Sequence, residues 1–195
     1  MKIVGIVTRK SKSEENHDID IIYSDIVNMV KKYKAIPIGL ILEEDYKDLI
    51  GICDGVIFQG GDDFETYDLE ALKYAYEKDI PVLGICLGMQ LMGVLFNGEM
   101  ISVENHKIKS NHSVKINRDS KLYEIFKEDI IEVNSRHKLV VKNTNLKISA
   151  VSSDGYIEAV EDPSKNFFIG VQWHPESMIY DKLQNKLFET FIKSC

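Results

Sequence analysis

A cysteine stands between two glycines in PVLGICLGMQLMG (81–93), with an unbroken apolar run before it and a helix-like stretch after it. Gly84, Cys86 and Gly88 form GxCxG at a junction from strand to helix. Flanking glycines permit a sharp turn that lifts the central side chain off a sheet and lets backbone and substrate approach, the mechanics of the serine elbow. A helix N-terminus adds free N–H groups and a positive dipole end, which stabilise a thiolate and an oxyanion beside it. Cys86 alone reads equally well as a small buried hydrophobe, because free cysteine is among the most buried residue types. A nearby base separates the two readings.

The chain has five histidines: His17, His106, His112, His137 and His174. His174 closes FFIGVQWHPE, where a strand would deliver it to the carboxyl edge at which elbows of open α/β sheets lie. Glu176 follows two positions later; in an extended segment those residues share a face, so its carboxylate can hold the imidazole tautomer. Cys86, His174 and Glu176 thus supply a nucleophile, a general acid/base and an orienting group. A further strand, VIFQGGDD (56–63), ends in Gly60-Gly61. Two glycines let backbone N–H groups converge on an anionic oxygen, so Gly60 and Gly61 could complete an oxyanion hole with the N–H of Leu87. Taken alone, the same pair is an ordinary turn with Asp62 and Asp63 as capping or solvated acids. His106 and His112, with Glu104 nearby, fit no standard zinc spacing and are expected on a solvated loop. Trp173 is expected to pack beneath His174, and Cys53 and Cys195 to be structural. The residues imply no metal and no organic cofactor.

These groups need a scaffold that brings distant segments to one edge. KIVGIVT (2–8) reads as a buried strand, and IDIIYSDIVNMVKKY (19–33) as a helix. IPIGLIL (36–42) and GVIFQ (55–59) are β-rich, DLEALKYAYEKD (68–79) is helical, IPVLGI (80–85) is a strand, and LGMQLMGVLF (87–96) is a helix apolar on nearly all sides. Alternating elements with continuous apolar strands imply a three-layer α/β fold: a mostly parallel central sheet with helices on both faces. From about residue 99 strand follows strand: HSVKIN, IIEVN, LKISAVSS, YIEAVE and FFIGVQW, with a turn at Asp154-Gly155, which implies an antiparallel extension. DKLQNKLFETFIKSC (181–195) reads as a closing helix.

The 195 residues suit one domain spanning 1–195, with one continuous core. Twenty-four Lys and Arg against 31 Asp and Glu give a net charge of −7, and no dense basic run appears, which argues against nucleic acid as a partner. No stretch reaches the ~18 to 20 apolar residues a membrane span needs, and MKIVGIVTRK resembles a first strand rather than a signal peptide. The expected location is cytoplasmic. Three cysteines without CxxC spacing suggest neither a disulfide framework nor a cysteine zinc site.

The GG loop, GICLGMQ (84–90) and GVQWHPES (170–177), in this order, resemble the class I glutamine amidotransferase superfamily, whose fold is flavodoxin-like. VNSRH (133–137), DGYIEAVE (154–161) and KAIPIGLI (34–41) resemble most its γ-glutamyl hydrolase branch, peptidase family C26, which includes γ-glutamyl-γ-aminobutyrate hydrolases. The resemblance makes Cys86 the nucleophile, His174 the base and Glu176 its partner. It makes Gly60, Gly61 and Leu87 backbone donors to the oxyanion, and Gln90 a contact to the γ-carbonyl end of the substrate. Asn134, Ser135 and His137 lie on the segment that in relatives helps to hold the α-amino acid head; without the resemblance they read as a polar turn. Arg136 is either a carboxylate partner or simply exposed.

The implied activity is cysteine-dependent hydrolysis of a small-molecule γ-glutamyl amide through a thioester. The alternative is a glutaminase subunit that passes ammonia to a separate synthetase; a non-catalytic binding module on the same fold is the third reading. A homodimer is left open. The chain departs from many C26 members in carrying Leu87, not arginine, after the nucleophile, and in lacking a long insertion between the GG loop and the next helix.

Overall fold

In the computed structural model, which describes residues 1–103 and 110–195, the chain alternates strand and helix and then runs through consecutive strands. Its elements are β1 (Ile3–Val7), β2 (Arg9–Lys12), β3 (Asp18–Ile21), α1 (Ser24–Lys32), β4 (Ile36–Leu40), α2 (Tyr46–Gly51), β5 (Gly55–Phe58), α3 (Thr66–Glu77), β6 (Val82–Ile85) and α4 (Leu87–Leu95). There follow β7 (Glu99–Ser102), β8 (Ser110–Ile116), α5 (Lys121–Phe126), β9 (Ile130–Ser135), β10 (Leu139–Lys142), β11 (Lys147–Ser152), β12 (Ile157–Glu161), β13 (Phe168–Val171), a 3-10 turn (Pro175–Ser177) and α6 (Lys182–Ser194).

The main sheet has the order β4-β1-β5-β6-β13-β12-β11-β8-β9. From β4 to β13 neighbours are parallel, and from β13 to β9 they are antiparallel. Successive side chains on a strand point to opposite faces. Ile57 therefore joins the core beneath α1, α5 and α6, while its neighbours Val56 and Phe58 join the core beneath α2, α3 and α4. Apolar residues at consecutive positions are thus the consequence of a sheet covered on both sides.

Two expectations change. Residues 19–23 are not helical: β2 and β3 form an antiparallel hairpin, and α1 begins at Ser24. The alternation of Ile19 and Ile21 with Asp18 and Asp20 serves a two-stranded arm, and only Ile26, Met29 and Val30 of the apolar series are buried by the helix. FFIGVQW is not wholly part of the antiparallel run, because β13 pairs in parallel with β6 through Gly170↔Gly84. A strand's direction is set by the long connection that returns it to the sheet, which short-range periodicity does not record. The helices α2 and α5 and the small β7–β10 sheet had no counterpart in the reading of the sequence.

Gly155 takes φ +87 at the expected turn between β11 and β12. Gly88 has a different reason: a Cβ there would lie 2.0 Å from the backbone oxygen of Phe58. The first turn of α4 therefore rests directly on the end of β5. Gly88→Ala is expected to destabilise the fold by about 3 kcal/mol in urea unfolding, since rigid backbone must move to admit the methyl. Gly51→Ala, where nothing lies within 4 Å, should leave stability unchanged or raise it by about 0.5 kcal/mol. Equal effects at the two positions would contradict the packing account.

Candidate active site

Cys86 lies between β6 and α4 with φ 53 and ψ −103. A non-glycine residue in this region carries about 1–3 kcal/mol of strain, held only because the surroundings over-determine it. Those surroundings are specific. The Cys86 N–H donates to Val171 O at 2.8 Å and its carbonyl accepts from Gln90 N at 3.0 Å, so sheet and helix grip the residue from either side. The flanking glycines supply room rather than backbone freedom: a Cβ on Gly84 would lie 2.8 Å from the Gly88 carbonyl carbon.

His174 follows β13 and reaches the same edge. Its Nδ1 pairs with Glu176 Oε1 at 2.7 Å, and it borders the same cavity as Cys86. Burial works to lower the imidazole's titration, but the hydrogen bonds with Cys86 and Glu176 outweigh it and push the value up to about 9. The main chain of His174 is clamped: its N–H donates to Asn134 Oδ1 and its carbonyl accepts from Asn134 Nδ2, both at 2.8 Å. The structure thus brings Cys86, His174 and Glu176 into one row, and places the Asn134 amide against the His174 backbone. By contrast, burial pushes the Cys53 thiol up to about 11 and the Cys195 thiol up to about 12, which keeps both protonated at neutral pH.

Gly60 and Gly61 face this row across the edge. A Cβ on Gly60 would lie 2.9 Å from His174 Cε1 and 3.5 Å from Cys86 Cβ. The loop is pinned by Arg9, a residue that sequence reasoning missed. Its Nε and Nη2 donate to Gln59 O at 3.3 and 3.1 Å, and its Nη1 pairs with Asp68 at 2.8 Å. Asp68 also accepts from Glu65 N, closing the loop onto α3. Nothing in TRK (8–10) marks the arginine, because its partners lie about fifty residues away. Leu87 opens α4, so its N–H has no intrahelical acceptor.

Cys86, Arg136, Gly61 and Asp62 border two cavities. One, of about 240 Å³, includes Tyr23, Asp25, His174, Glu176 and Ser177; the other, of about 400 Å³, includes Gln90, Ser102, His137 and Lys138. Gln90 is buried, and its Nε2 donates to Leu139 O at 2.8 Å and to Gln172 Oε1 at 3.1 Å. Arg136 is exposed, donates to Ser177 Oγ at 2.6 Å and borders both cavities. Ser135 is buried and does not border either cavity. His137 is buried with Nδ1 on Leu139 O at 3.1 Å and Nε2 3.7 Å from Glu158 Oε1.

His112 corrects the solvated-loop reading. It sits on β8 with Nε2 3.3 Å from Glu158 Oε1, a hydrogen bond that raises its titration against the effect of burial. Strand β8 pairs with β9 and carries it to the buried carboxylate. His106 and Glu104 lie outside the described residues. Among the described residues, no group of three or more His, Cys, Asp or Glu could hold a metal ion, and no helix is long and apolar enough to cross a membrane. Trp173 is buried in the same core cluster as Cys86 and donates to Gln184 Oε1 at 2.9 Å.

Comparison with known proteins shows the family of the chain. The family model for peptidase C26 matches residues 63–176, and the chain belongs to that family. A glutamine amidotransferase-like protein of Rickettsia prowazekii is 29% identical, with 82% of this chain and 84% of the relative covered. CTP synthase of Lactobacillus helveticus is 30% identical over 78% of this chain, which spans only 36% of that enzyme. The crystal structure of a GMP synthase subunit from Thermoplasma acidophilum superposes with a TM-score of 0.77 at 18% identity, covering 100% of this chain and 94% of that one; this likeness shows the fold. The domain is a class I glutamine amidotransferase-like one, with the amidase-type enzyme activity its family implies.

Because the folded His174 titrates above the ordinary 6.5, the stability its charged form lends is fully present below that range and fades as pH rises through about 9. An NMR titration of the His174 ring should therefore show a midpoint near 9, falling by about one pH unit in Glu176→Gln as the carboxylate's attraction is lost. A wild-type midpoint at 6.5 would contradict the arrangement.

Proposed function

We propose that this protein hydrolyses γ-glutamyl amides with Cys86 as nucleophile, His174 as general acid/base and Glu176 as the group that orients and charges the imidazole. The observation that carries the reading is the row of sulfur, imidazole and carboxylate, with the 2.7 Å His174–Glu176 bond, at the strained elbow facing two cavities. The thiolate attacks the γ-carbonyl carbon, and the resulting oxyanion is met by the N–H groups of Gly60, Gly61 and Leu87. Collapse breaks the C–N bond as His174 gives its proton to the departing amine. Water, deprotonated by His174, then attacks the thioester; the C–S bond breaks and glutamate leaves.

Among the expected substrate contacts, Gln90 takes a different part from the one the resemblance implies. Both Nε2 hydrogens are already donated, so only its Oε1 remains to meet a ligand, and an acceptor suits the α-ammonium of a glutamyl head rather than its γ-carbonyl. Asn134 acts by holding His174. His137 lines the larger cavity, and Ser135 borders neither.

A second reading is favoured by the relatives. CTP synthase and the GMP synthase protein belong to synthases, and the chain spans only 36% of the former. On that reading the domain releases ammonia from glutamine for a separate synthetase. One measurement separates the readings and a second tests what they share. Purified protein should release glutamate from a panel of γ-glutamyl amines and peptides faster than from glutamine, and Cys86→Ala should lower that release by at least about 10³-fold while the thermal unfolding midpoint is kept. Turnover confined to glutamine, and stimulated by a co-purifying synthetase, would favour the second reading; undiminished turnover in Cys86→Ala would sink both.

A further inference from the structure

The end of β13 brings a second side chain to the sulfur. Gln172 lies two positions before His174, is wholly buried, and its Nε2 donates to Cys86 Sγ at 3.6 Å. Amide nitrogen and oxygen are assigned by their hydrogen-bond partners, and here the assignment is anchored. Leu139 O is a backbone carbonyl and can only accept, so the Gln90 atom 2.8 Å from it is the NH₂ group. That NH₂ also lies 3.1 Å from a terminal atom of Gln172, which must therefore be its oxygen. The remaining Gln172 group, NH₂, faces the sulfur. Turning the Gln172 amide over would set two NH₂ groups against each other and leave a buried oxygen aimed at a thiolate. His137 Nδ1 reaches the same Leu139 oxygen at 3.1 Å and so carries its proton there.

We propose that Gln172 is a catalytic hydrogen-bond donor to the Cys86 sulfur, held in its donating orientation by Gln90 as a positioning residue, and that this fixed amide favours the thiolate. A thiolate accepts a hydrogen bond more strongly than a thiol, so a donor locked at the sulfur stabilises the charged form and lowers the proton cost of attack. The donor is on the core side, whereas His174 approaches from the cavities. Gln172 thus remains on the sulfur when a substrate displaces water or when His174 passes its proton to the leaving amine. The inference rests on the reading of Cys86 as nucleophile, but its test needs no substrate.

The titratable and charged groups around the sulfur are His174 with Glu176 behind it, Asp25 and Asp62 at the smaller cavity, and Arg136, His137 and Lys138 at the larger one. None is altered in the test. In Gln172→Met, which fills similar volume without a donor, the rate of Cys86 alkylation by iodoacetamide at pH 7, read by mass spectrometry of the Cys86 peptide, should fall about tenfold. The pH at half-maximal rate should rise by about one unit. Gln90→Leu should move both in the same direction by less, and the double variant should match Gln172→Met, because Gln90 acts only through Gln172. A folded Gln172→Met whose alkylation profile overlays the wild type would overturn the proposal, as a residue that merely fills the core predicts.

A measurement on the unmutated protein covers the case in which the variant does not fold. The Gln172 side-chain amide resonances should shift with pH at the midpoint seen for Cys86 alkylation, and that step should vanish in Cys86→Ala. Resonances that stay flat through the midpoint would also overturn the assignment. Both readouts report the state of the sulfur, so they stay decisive even if no γ-glutamyl amide is turned over.

Discussion

The arrangement depends on a charged imidazole held between a sulfur and a buried carboxylate. Burial alone would drive His174 toward its neutral form, and the hydrogen bonds from either side reverse that tendency. The balance holds only if the ring cannot rotate away. Asn134 secures it from β9 by taking both main-chain groups of His174, and Gly60 secures it from the loop after β5, since only a residue without a side chain lets the loop come so near the ring. Three segments far from it in the chain, at Gly60, Cys86 and Asn134, therefore converge on one residue.

The elbow shows a related economy. Cys86 itself, not either flanking glycine, takes the left-handed backbone conformation. The glycines let neighbouring backbone pack against it: Gly88 on the end of β5 and Gly84 on the first turn of α4. Close packing is what sustains the strain, because relaxing Cys86 would mean pulling a helix off the sheet. The same helix start leaves the Leu87 N–H without an intrahelical acceptor beside the sulfur, so the strain and the free donor share one structural cause.

Behind the row runs a buried polar chain: Cys86 to Gln172, Gln172 to Gln90, Gln90 to Leu139 O, and from that carbonyl to His137, Glu158 and His112. It joins the parallel half of the sheet to the antiparallel half. Such a chain defines orientation at every link, because one acceptor-only carbonyl fixes the amides on one side and the imidazole tautomer on the other. The antiparallel extension is thereby part of the site's support rather than a separate appendage.

Some of this was legible in the residues. The three-layer α/β plan followed from apolar runs separated by helical periods, and GxCxG with HPE named the three side chains, because elbows and strand ends leave local signatures. Their meeting required the parallel pairing of β13 with β6, which no local pattern encodes. The hairpin over residues 9–21 was misread in part because short apolar alternation and helical spacing overlap. Arg9 and Gln172 carry no local signal, and nothing around Asn134 in the sequence shows that its amide meets the His174 backbone. Sequence determined which chemical groups were present and which local turns could display them. Only the tertiary structure decided what each group faces, since a hydrogen bond across forty or eighty residues depends on how strands order themselves in the sheet, and that order is fixed by packing of the whole chain.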